Sequence, residues 1–161
     1  MASTSTNKQP LFIDRVLHYV FDLDEANNGR NDDNTTVSGT NSAQLLVDAI
    51  STDGAIVEDL YVIARNSTEY QVNLYLSTAR DYLRATQAAF IGSITQSGPA
   101  LKVTRWTDMP RTLAPVPQVD NNSEPKNTAL YIPKGYALWA ARQSDQDTSN
   151  GPLIGCQGGW Y

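Results

Sequence analysis

The chain has 161 residues, a length that suits one domain with a sizeable core. Its formal net charge of -5 disfavours a nucleic-acid partner, because phosphate binding requires a basic face. No apolar run approaches the roughly 18 residues of a membrane-spanning helix, and the first residues lack the basic and apolar regions of a secretory signal. Neither a membrane partner nor secretion is therefore expected.

The first 42 residues are predicted to form an N-terminal arm with a first strand and a polar loop. Residues 1–10 are small and polar, which is typical of an arm that docks on a neighbour. Residues 11–23 fit both a helical stripe and the alternation of a strand, and their β-branched and aromatic content favours the strand. Residues 24–40 are polar and include the turn signal Asn28-Gly29.

Residues 43–161 are predicted to form a β-sandwich domain. Residues 44–51 are one short apolar run, and Thr52-Asp53-Gly54 is predicted to make a hairpin turn into the next strand. That next strand is expected to face inward through four side chains or their neighbours, namely Ile56, Leu60, Val62 and Ala64.

The middle of the domain continues the β pattern. Residues 70–77 alternate strictly between apolar and polar, which predicts a sheet with one buried face. Good helix formers in residues 78–87 predict a helical turn, and residues 88–95 predict a strand with a bulge at Gly92. Gly98-Pro99 ends that strand, and a short strand follows.

Four prolines make residues 109–125 an extended excursion, because proline cannot donate to a central β-ladder; they are Pro110, Pro115, Pro117 and Pro125. A loop of this length usually contacts another chain. Residues 128–161 then predict two strands around the turn Pro133-Lys134-Gly135, a polar loop and a closing strand. About eight short strands with one long crossing loop predict an all-β fold: an antiparallel, jelly-roll-like β-sandwich.

The sequence contains no recognisable catalytic, cofactor or metal motif. His18 is the only histidine and lies in an apolar run, where a structural role is the usual one. Cys156, the only cysteine, excludes an intrachain disulfide, fits a reducing cytoplasm and is predicted to be a small buried residue of the last strand. No enzyme and no cofactor are predicted, and a small-molecule ligand is not expected.

Two acidic loops provide the candidate metal ligands Asp22, Asp24, Glu25, Asp32, Asp33, Asp145 and Asp147. The first loop begins like a calcium loop, but the glycine and closing glutamate positions do not follow, so solvated loop tips are the favoured interpretation. Paired carboxylates of a glycoside hydrolase need only spatial proximity, which keeps a hydrolase as an alternative. Three tryptophans provide either a sugar-stacking platform or, as favoured here, core or interface anchors: Trp106, Trp139 and Trp160.

The C-terminal motifs resemble those of a family. Residues 130–140 read LYIPKGYALWA, and after a polar loop residues 155–161 read GCQGGWY. This arrangement resembles small virion proteins of tailed bacteriophages, in which a strand with the pattern LPAGYxL precedes a C-terminal strand ending in GGDY. The likeness extends over residues 43–161, where the TDGA turn and the strands LYVIARN and VNLYL come in the matching order. The present chain ends in GGWY instead.

The resemblance implies a structural protein of the virion, assembled in the host cytoplasm. A capsid decoration (cement) protein is favoured, with the major capsid protein as partner, and a homotrimer is predicted because such proteins are often trimeric. A tail, baseplate or fibre component, including a carbohydrate-binding receptor module, is the alternative. Seven residues of the arms, tryptophans and C-terminus are predicted to contact the partner: Pro10, Trp106, Pro110, Pro115, Pro117, Trp160 and Tyr161.

Overall fold

The computed structural model describes residues 15–23, 30–31, 43–80, 83, 87–106, 129–143 and 151–161. Within them the chain forms ten strands: β1 (Arg15–Asp22), β2 (Arg30–Asn31), β3 (Gln44–Asp48), β4 (Gly54–Ile63), β5 (Tyr70–Ser77), β6 (Ala88–Gln96), β7 (Val103–Arg105), β8 (Leu130–Pro133), β9 (Ala137–Gln143) and β10 (Leu153–Trp160). These residues contain no α-helix. Half of the predicted helical turn at 78–87, namely residues 81, 82 and 84–86, and the whole proline-rich excursion lie outside the described residues.

The ten strands form two five-stranded sheets that pack face to face, which confirms the predicted all-β sandwich. Sheet A has the order β1-β10-β4, and β7 and β8 both pair with the other edge of β4. Sheet B has the order β6-β5-β9, and β2 and β3 both pair with the other edge of β9. Every pairing is antiparallel except the two-residue pairing of β2 with β9.

The strand predicted within residues 11–23 is confirmed as β1. It pairs with β10 along its whole length, from Arg15 opposite Trp160 to Asp22 opposite Leu153. Leu17 enters the core between the sheets. The described sandwich therefore includes a strand from the segment that precedes residue 43.

The core fills the space between the two sheets. Its fully buried members are mostly leucine, isoleucine and valine, among them Leu17, Val57, Leu60, Val62, Val72, Leu74, Leu138 and Ile154. Branched side chains fit this position because they pack well on a pleated surface. Arg142 points into the same space at the end of β9, where its guanidinium lies 5.4 Å from the centre of the Tyr70 ring.

The hairpin predicted at Thr52-Asp53-Gly54 is wrong, because the strands on its two sides belong to different sheets. β3 stays with sheet B beyond its last residue: Ala49 donates its N–H to Tyr136 O at 3.0 Å and accepts one from Gly135 at 3.0 Å. The chain then bends at residues 50–53 and enters sheet A as β4. Turn chemistry was correct locally, but it does not determine which neighbour a strand pairs with.

The inward face of β4 changes along the strand. Leu60, Val62 and Ala64 are buried as predicted, but Ile56 points outward and its neighbour Val57 is buried instead. The cause is an extra residue in the pairing of β4 with β10, where the register shifts next to Gly158. A β-bulge of this kind reverses which side chains face the core.

The central strands β5 and β9 of sheet B are buried on both faces, contrary to the prediction of one buried face. A second cluster covers its outer face; it consists of Ala43, Tyr75, Leu83, Ala137, Trp139 and Ala141. The Trp139 Nε1–H donates to Ala79 O at 3.2 Å, which fixes the ring against the segment that follows β5. Asn73 and Ser77, on the same outward side of β5, are fully buried as well.

Trp106 closes one side of the sandwich between β7 and β6. Its ring lies against Gly92, where a side-chain Cβ would come within 2.5 Å of the ring atom Cζ2. Gly92 has a φ of 153°, and the pairing of β5 with β6 shifts register beside it, which confirms the predicted bulge. Glycine is required here both for the positive φ and for the close approach of the indole.

Candidate interaction surface

The outer face of sheet A differs from the outer face of sheet B, because no described residue packs over it. The register places these side chains on that face: Val16, His18, Val20 and Asp22 of β1; Leu153, Gly155, Gln157 and Gly159 of β10; Ile56, Asp59, Tyr61 and Ile63 of β4; Val103 and Arg105 of β7; and Tyr131 of β8. We call this set the outer face of sheet A.

Apolar side chains on this face are unusually exposed. The exposed fractions are 73% for Val16, 49% for Val20, 46% for Val103 and 43% for Tyr131. They occupy both margins of the sheet, whereas the central strand contributes Gly155 and Gly159. Apolar side chains therefore project from both edges of this face, whereas residues 155 and 159 in its centre have no side chain.

The Tyr61 ring lies across the centre of this face. Gly155 is directly opposite Tyr61, and any side chain at 155 would overlap the Tyr61 ring, so the ring lies flat on the glycine backbone. The Tyr61 hydroxyl lies 3.5 Å from His18 Nε2 on the far side of β10. Tyr61 thus joins the two margins of the face, and its position depends on the absence of a side chain at 155.

Two ion pairs flank the face. Arg105 donates from Nε to Asp59 Oδ2 at 3.0 Å on the β4–β7 side, and Arg65 pairs with Asp22 at the end of β1. Both pairs are partly solvent-exposed, so each contributes little to folding stability. Charged and apolar side chains therefore share this face, as they do in most protein–protein interfaces.

Two tyrosines lie near the opposite end of the face. The rings of Tyr131 and Tyr161 are 6.2 Å apart and tilted by 49°. Partial burial, followed by the neighbouring Tyr131 and Glu58, raises the pKa of Tyr161 above its usual value. The C-terminal residue is held by its backbone N–H, which donates to Gly54 O at 3.1 Å. The two rings present a paired aromatic surface at this end.

An exposed leucine projects from the turn that leads into β7. Leu101 is 80% exposed and has a φ of 67°, a left-handed conformation that costs a leucine about 1–2 kcal/mol. Its N–H donates to Ala64 O at 2.7 Å, so the turn is attached to the end of β4 beside the face. An apolar side chain held in water at a cost in strain is unusual for a purely structural position.

The predicted contact residues fall into three groups in the structure. Trp106 and Trp160 are buried and pack in the core, where Arg15 lies 5.5 Å from the centre of the Trp160 ring. Tyr161 lies beside the outer face of sheet A. The four prolines, Pro10, Pro110, Pro115 and Pro117, lie outside the described residues. No observation tests whether any of the seven contacts a partner.

The tryptophans were interpreted as core or interface anchors, and the structure buries all three indoles within the fold, where none offers a stacking platform. Cys156 is fully buried, as predicted for a small residue of the last strand. Burial, and secondarily the negative charge of Asp59, raises the pKa of the Cys156 thiol to about 12.

The described residues contain no group of three or more histidine, cysteine, aspartate or glutamate side chains that could hold a metal ion. Of the acidic candidates, Asp22 pairs with Arg65, and the others lie outside the described ranges. His18 is exposed on the outer face of sheet A and not buried in an apolar environment. Within the part of the chain that the structure describes, no helix is long and apolar enough to cross a membrane.

No protein-family model matches the chain, and searches of curated proteins and of solved structures found no significant match. Function must therefore be argued from the surface itself. Sequence reasoning did not identify the outer face of sheet A, although one signal was available. The alternation of β1 places Val16 and Val20 on the face opposite Leu17, so an apolar strand with two apolar faces was visible in the sequence.

Proposed function

We propose that the protein is a bacteriophage virion structural protein, a decoration protein that binds and stabilises the outer surface of the capsid. Its partner in this role is the major capsid protein, and the complex assembles in the host cytoplasm. The observation that supports an adhesive role is the outer face of sheet A, where Val16, Val20, Val103 and Tyr131 are exposed and no described residue packs over them.

Exposed apolar area is unfavourable in water at about 25 cal/mol per Å², so several exposed apolar side chains on one face of a sheet indicate a surface that a partner covers. Scattered single residues would need no such explanation, but these share one face of one sheet. The tyrosines Tyr61 and Tyr131 are of a type enriched in interface centres.

The pairing of the ionisable groups also supports a binding role. Asp59 pairs with Arg105, Asp22 pairs with Arg65, and Lys134 donates to Asp53 at 2.9 Å. Each of these described carboxylates has a basic neighbour and an explanation in surface electrostatics. A binding role that makes and breaks no covalent bond agrees with this arrangement, and the proposal includes no catalytic residue and no cofactor.

A tail, baseplate or fibre component with a carbohydrate-binding surface is the second candidate. One observation favours it: the Tyr131 and Tyr161 rings are 6.2 Å apart at the edge of the face, and aromatic rings are suited to stacking on sugars. A glycan array probed with the purified chain tests this candidate. Binding that Tyr131→Ala abolishes would favour it over capsid decoration.

The test of the main proposal is the composition of purified virions. Mass spectrometry of intact particles should find the chain in many copies, in fixed proportion to the major capsid protein. A few copies per particle would indicate the tail, and absence from purified virions would contradict both virion roles. The homotrimer predicted from the sequence remains a prediction, which the mass of the purified chain in solution tests.

A further inference from the structure

The free edge of β1 is the one further feature from which we draw an inference. β1 is the terminal strand of sheet A, and among the described residues only β10 pairs with it. An edge strand of eight residues presents a row of backbone donors and acceptors that another strand can complete. β1 contains none of the proline or lysine residues that usually prevent such pairing.

The backbone direction at this edge can be assigned. Leu23 donates its N–H to Pro152 O at 3.0 Å, on the β10 side. Because successive residues of a strand direct their N–H and C=O groups to opposite sides, Leu17, Tyr19 and Phe21 also bond towards β10. The groups of Val16, His18 and Val20 therefore point towards the edge at which no described strand pairs with β1.

Both faces of this edge carry exposed apolar side chains, beside His18 and Asp22 on the outer face and Arg15 on the other. Val16 and Val20 are exposed on the outer face, and Tyr19 is 45% exposed on the other face. The Tyr19 and Phe21 rings are 5.9 Å apart and form a short aromatic row next to the free edge. An exposed strand with these side chains favours an extended apolar strand as its partner.

We infer that the partner is β1 of a second copy of this chain, paired antiparallel across a twofold axis at Tyr19. This register places Tyr19 opposite Tyr19 of the second copy, and Leu17 opposite its Phe21. Both are cross-strand pairs of the type that stabilises sheets. Because the axis is perpendicular to the sheet, the two outer faces become one continuous surface.

The alternative twofold register, centred on His18, is less favourable. It would set two imidazoles against each other at the axis and Arg15 opposite Phe21, whereas the Tyr19 register has aromatic and aliphatic side chains at those positions. The Tyr19 register also leaves the Arg65–Asp22 ion pair at the end of the shared ladder. A single pair of strands buries little area, so the dimer should form in a concentration-dependent way.

Cross-linking tests the inference directly. Tyr19 is a position whose backbone groups point away from the new partner, and at such positions opposed Cα atoms are about 4.5 Å apart, within the range of a disulfide. Because Tyr19 is also opposite Cys156 within the chain, the test uses Tyr19→Cys together with Cys156→Ala. His18→Cys in the same background is the matched control.

We expect mild oxidation to give a covalent dimer with Tyr19→Cys, several-fold more than with His18→Cys. We also expect sedimentation of the unmodified chain to show a mass that rises towards two protomers with concentration. A monomer at every concentration without a Tyr19 cross-link would overturn the inference. A preference for His18 would overturn the register, and a three-protomer mass without the Tyr19 cross-link would overturn the twofold pair.

The Val20→Pro variant tests pairing at the β1 edge without disturbing the fold. It removes an N–H that points to the free edge and leaves the bonds to β10 intact, so it should abolish the dimer with little change in Tm. If that variant does not fold, Tyr19→Lys replaces it, because two like charges would then oppose each other at the axis. A dimer that survives in a folded variant would contradict the inference. The measurements use the isolated chain, so their outcome is independent of the role in virions.

Discussion

The outer faces of the two sheets are built from similar residue types but have opposite environments. On sheet B the apolar side chains Tyr75, Trp139 and Ala141 are buried against the segment after β5, which contributes Leu83, and Phe90 at the β6 edge is the one large apolar side chain that is strongly exposed among the described residues of this face. On sheet A the apolar side chains Val16, Val20 and Val103 remain exposed. Among the described residues, a segment of the chain therefore covers β5 and β9 on the outer face of sheet B, whereas none packs over the outer face of sheet A.

Truncations on the two outer faces should therefore affect different properties: folding stability on sheet B and binding on sheet A. A truncation on the outer face of sheet B creates a cavity, and its cost appears in the free energy of unfolding. The same truncation on the outer face of sheet A removes no intrachain packing, so its cost should appear only when a partner is bound. Each prediction below tests one side of that separation.

The largest expected effect is that of Trp139→Ala. Loss of the buried indole, and of its hydrogen bond to Ala79, should lower the free energy of unfolding by about 3–5 kcal/mol. Val103→Ala, on the other outer face, should change it by less than about 0.5 kcal/mol. Thermal or urea unfolding measures both. Equal losses for the two variants would show that sheet A is also covered within the chain.

Two glycines of β10 give a second, matched contrast. A side chain at Gly158 would overlap the backbone carbonyl of Ile56, which cannot move without breaking the ladder, so Gly158→Ala should cost up to about 3 kcal/mol. A side chain at Gly155 would overlap only the Tyr61 ring, which can rotate into solvent, so Gly155→Ala should cost about 1 kcal/mol. A reversed order of the two unfolding energies would contradict an uncovered outer face.

The pH dependence of stability tests the burial of Cys156, whose side chain lies on the inner side of β10. Burial raises the pKa of the Cys156 thiol to about 12, from a model-compound value of 9.0. The thiol therefore loses its proton at a lower pH in the unfolded chain than in the folded chain. Its effect on the free energy of unfolding is absent below about pH 9 and grows as the pH rises towards 12. By about pH 10 the thiol should lower the unfolding free energy by about 1.4 kcal/mol.

The measurement compares the chain with its Cys156→Ala variant at about pH 8 and about pH 10. The variant should lose less stability than the unmodified chain over this interval, because it lacks the buried thiol. Parallel losses in the two proteins would show that the thiol is accessible to water in the folded state.

Substitution of Leu101 by glycine should have the smallest effect on the free energy of unfolding, and it should raise that free energy. Leu101→Gly relieves the left-handed conformation, at some cost in chain entropy, and should raise stability by about 0.5–1 kcal/mol. Leu101→Ala keeps the strain and should leave stability unchanged, because the side chain is in water. If Leu101→Ala destabilises as a buried leucine would, the turn packs against the fold and does not serve a partner.

The sequence was sufficient to predict most strands, because strand alternation is a local property. The apolar and polar alternation of residues 70–77 and the turn Pro133-Lys134-Gly135 correspond to β5 and to the turn between β8 and β9. Cys156 was assigned to the interior because its size and polarity favour burial, whereas the tryptophans were left as core or interface anchors.

Pairing between distant strands could not be predicted in the same way. The outward turn of Ile56 depends on a register shift between β4 and β10, and these strands are far apart in the sequence. The false hairpin at residues 52–54 has the same origin, since a turn signal does not specify a sheet. The outer face of sheet A was missed because exposure depends on what lies above a strand, which alternation does not show.

The most direct test of the account is the binding of a variant altered only on the outer face of sheet A. Val103→Glu combined with Tyr131→Glu places charge on this face and away from the β1 edge; Thr95→Glu, exposed on β6, is the matched control. Co-sedimentation with decoration-free capsids and thermal unfolding are measured for both. We predict that the double variant loses binding and keeps its Tm, whereas the control keeps both. Full binding by the double variant, or a fall in Tm that parallels the loss of binding, would contradict the account.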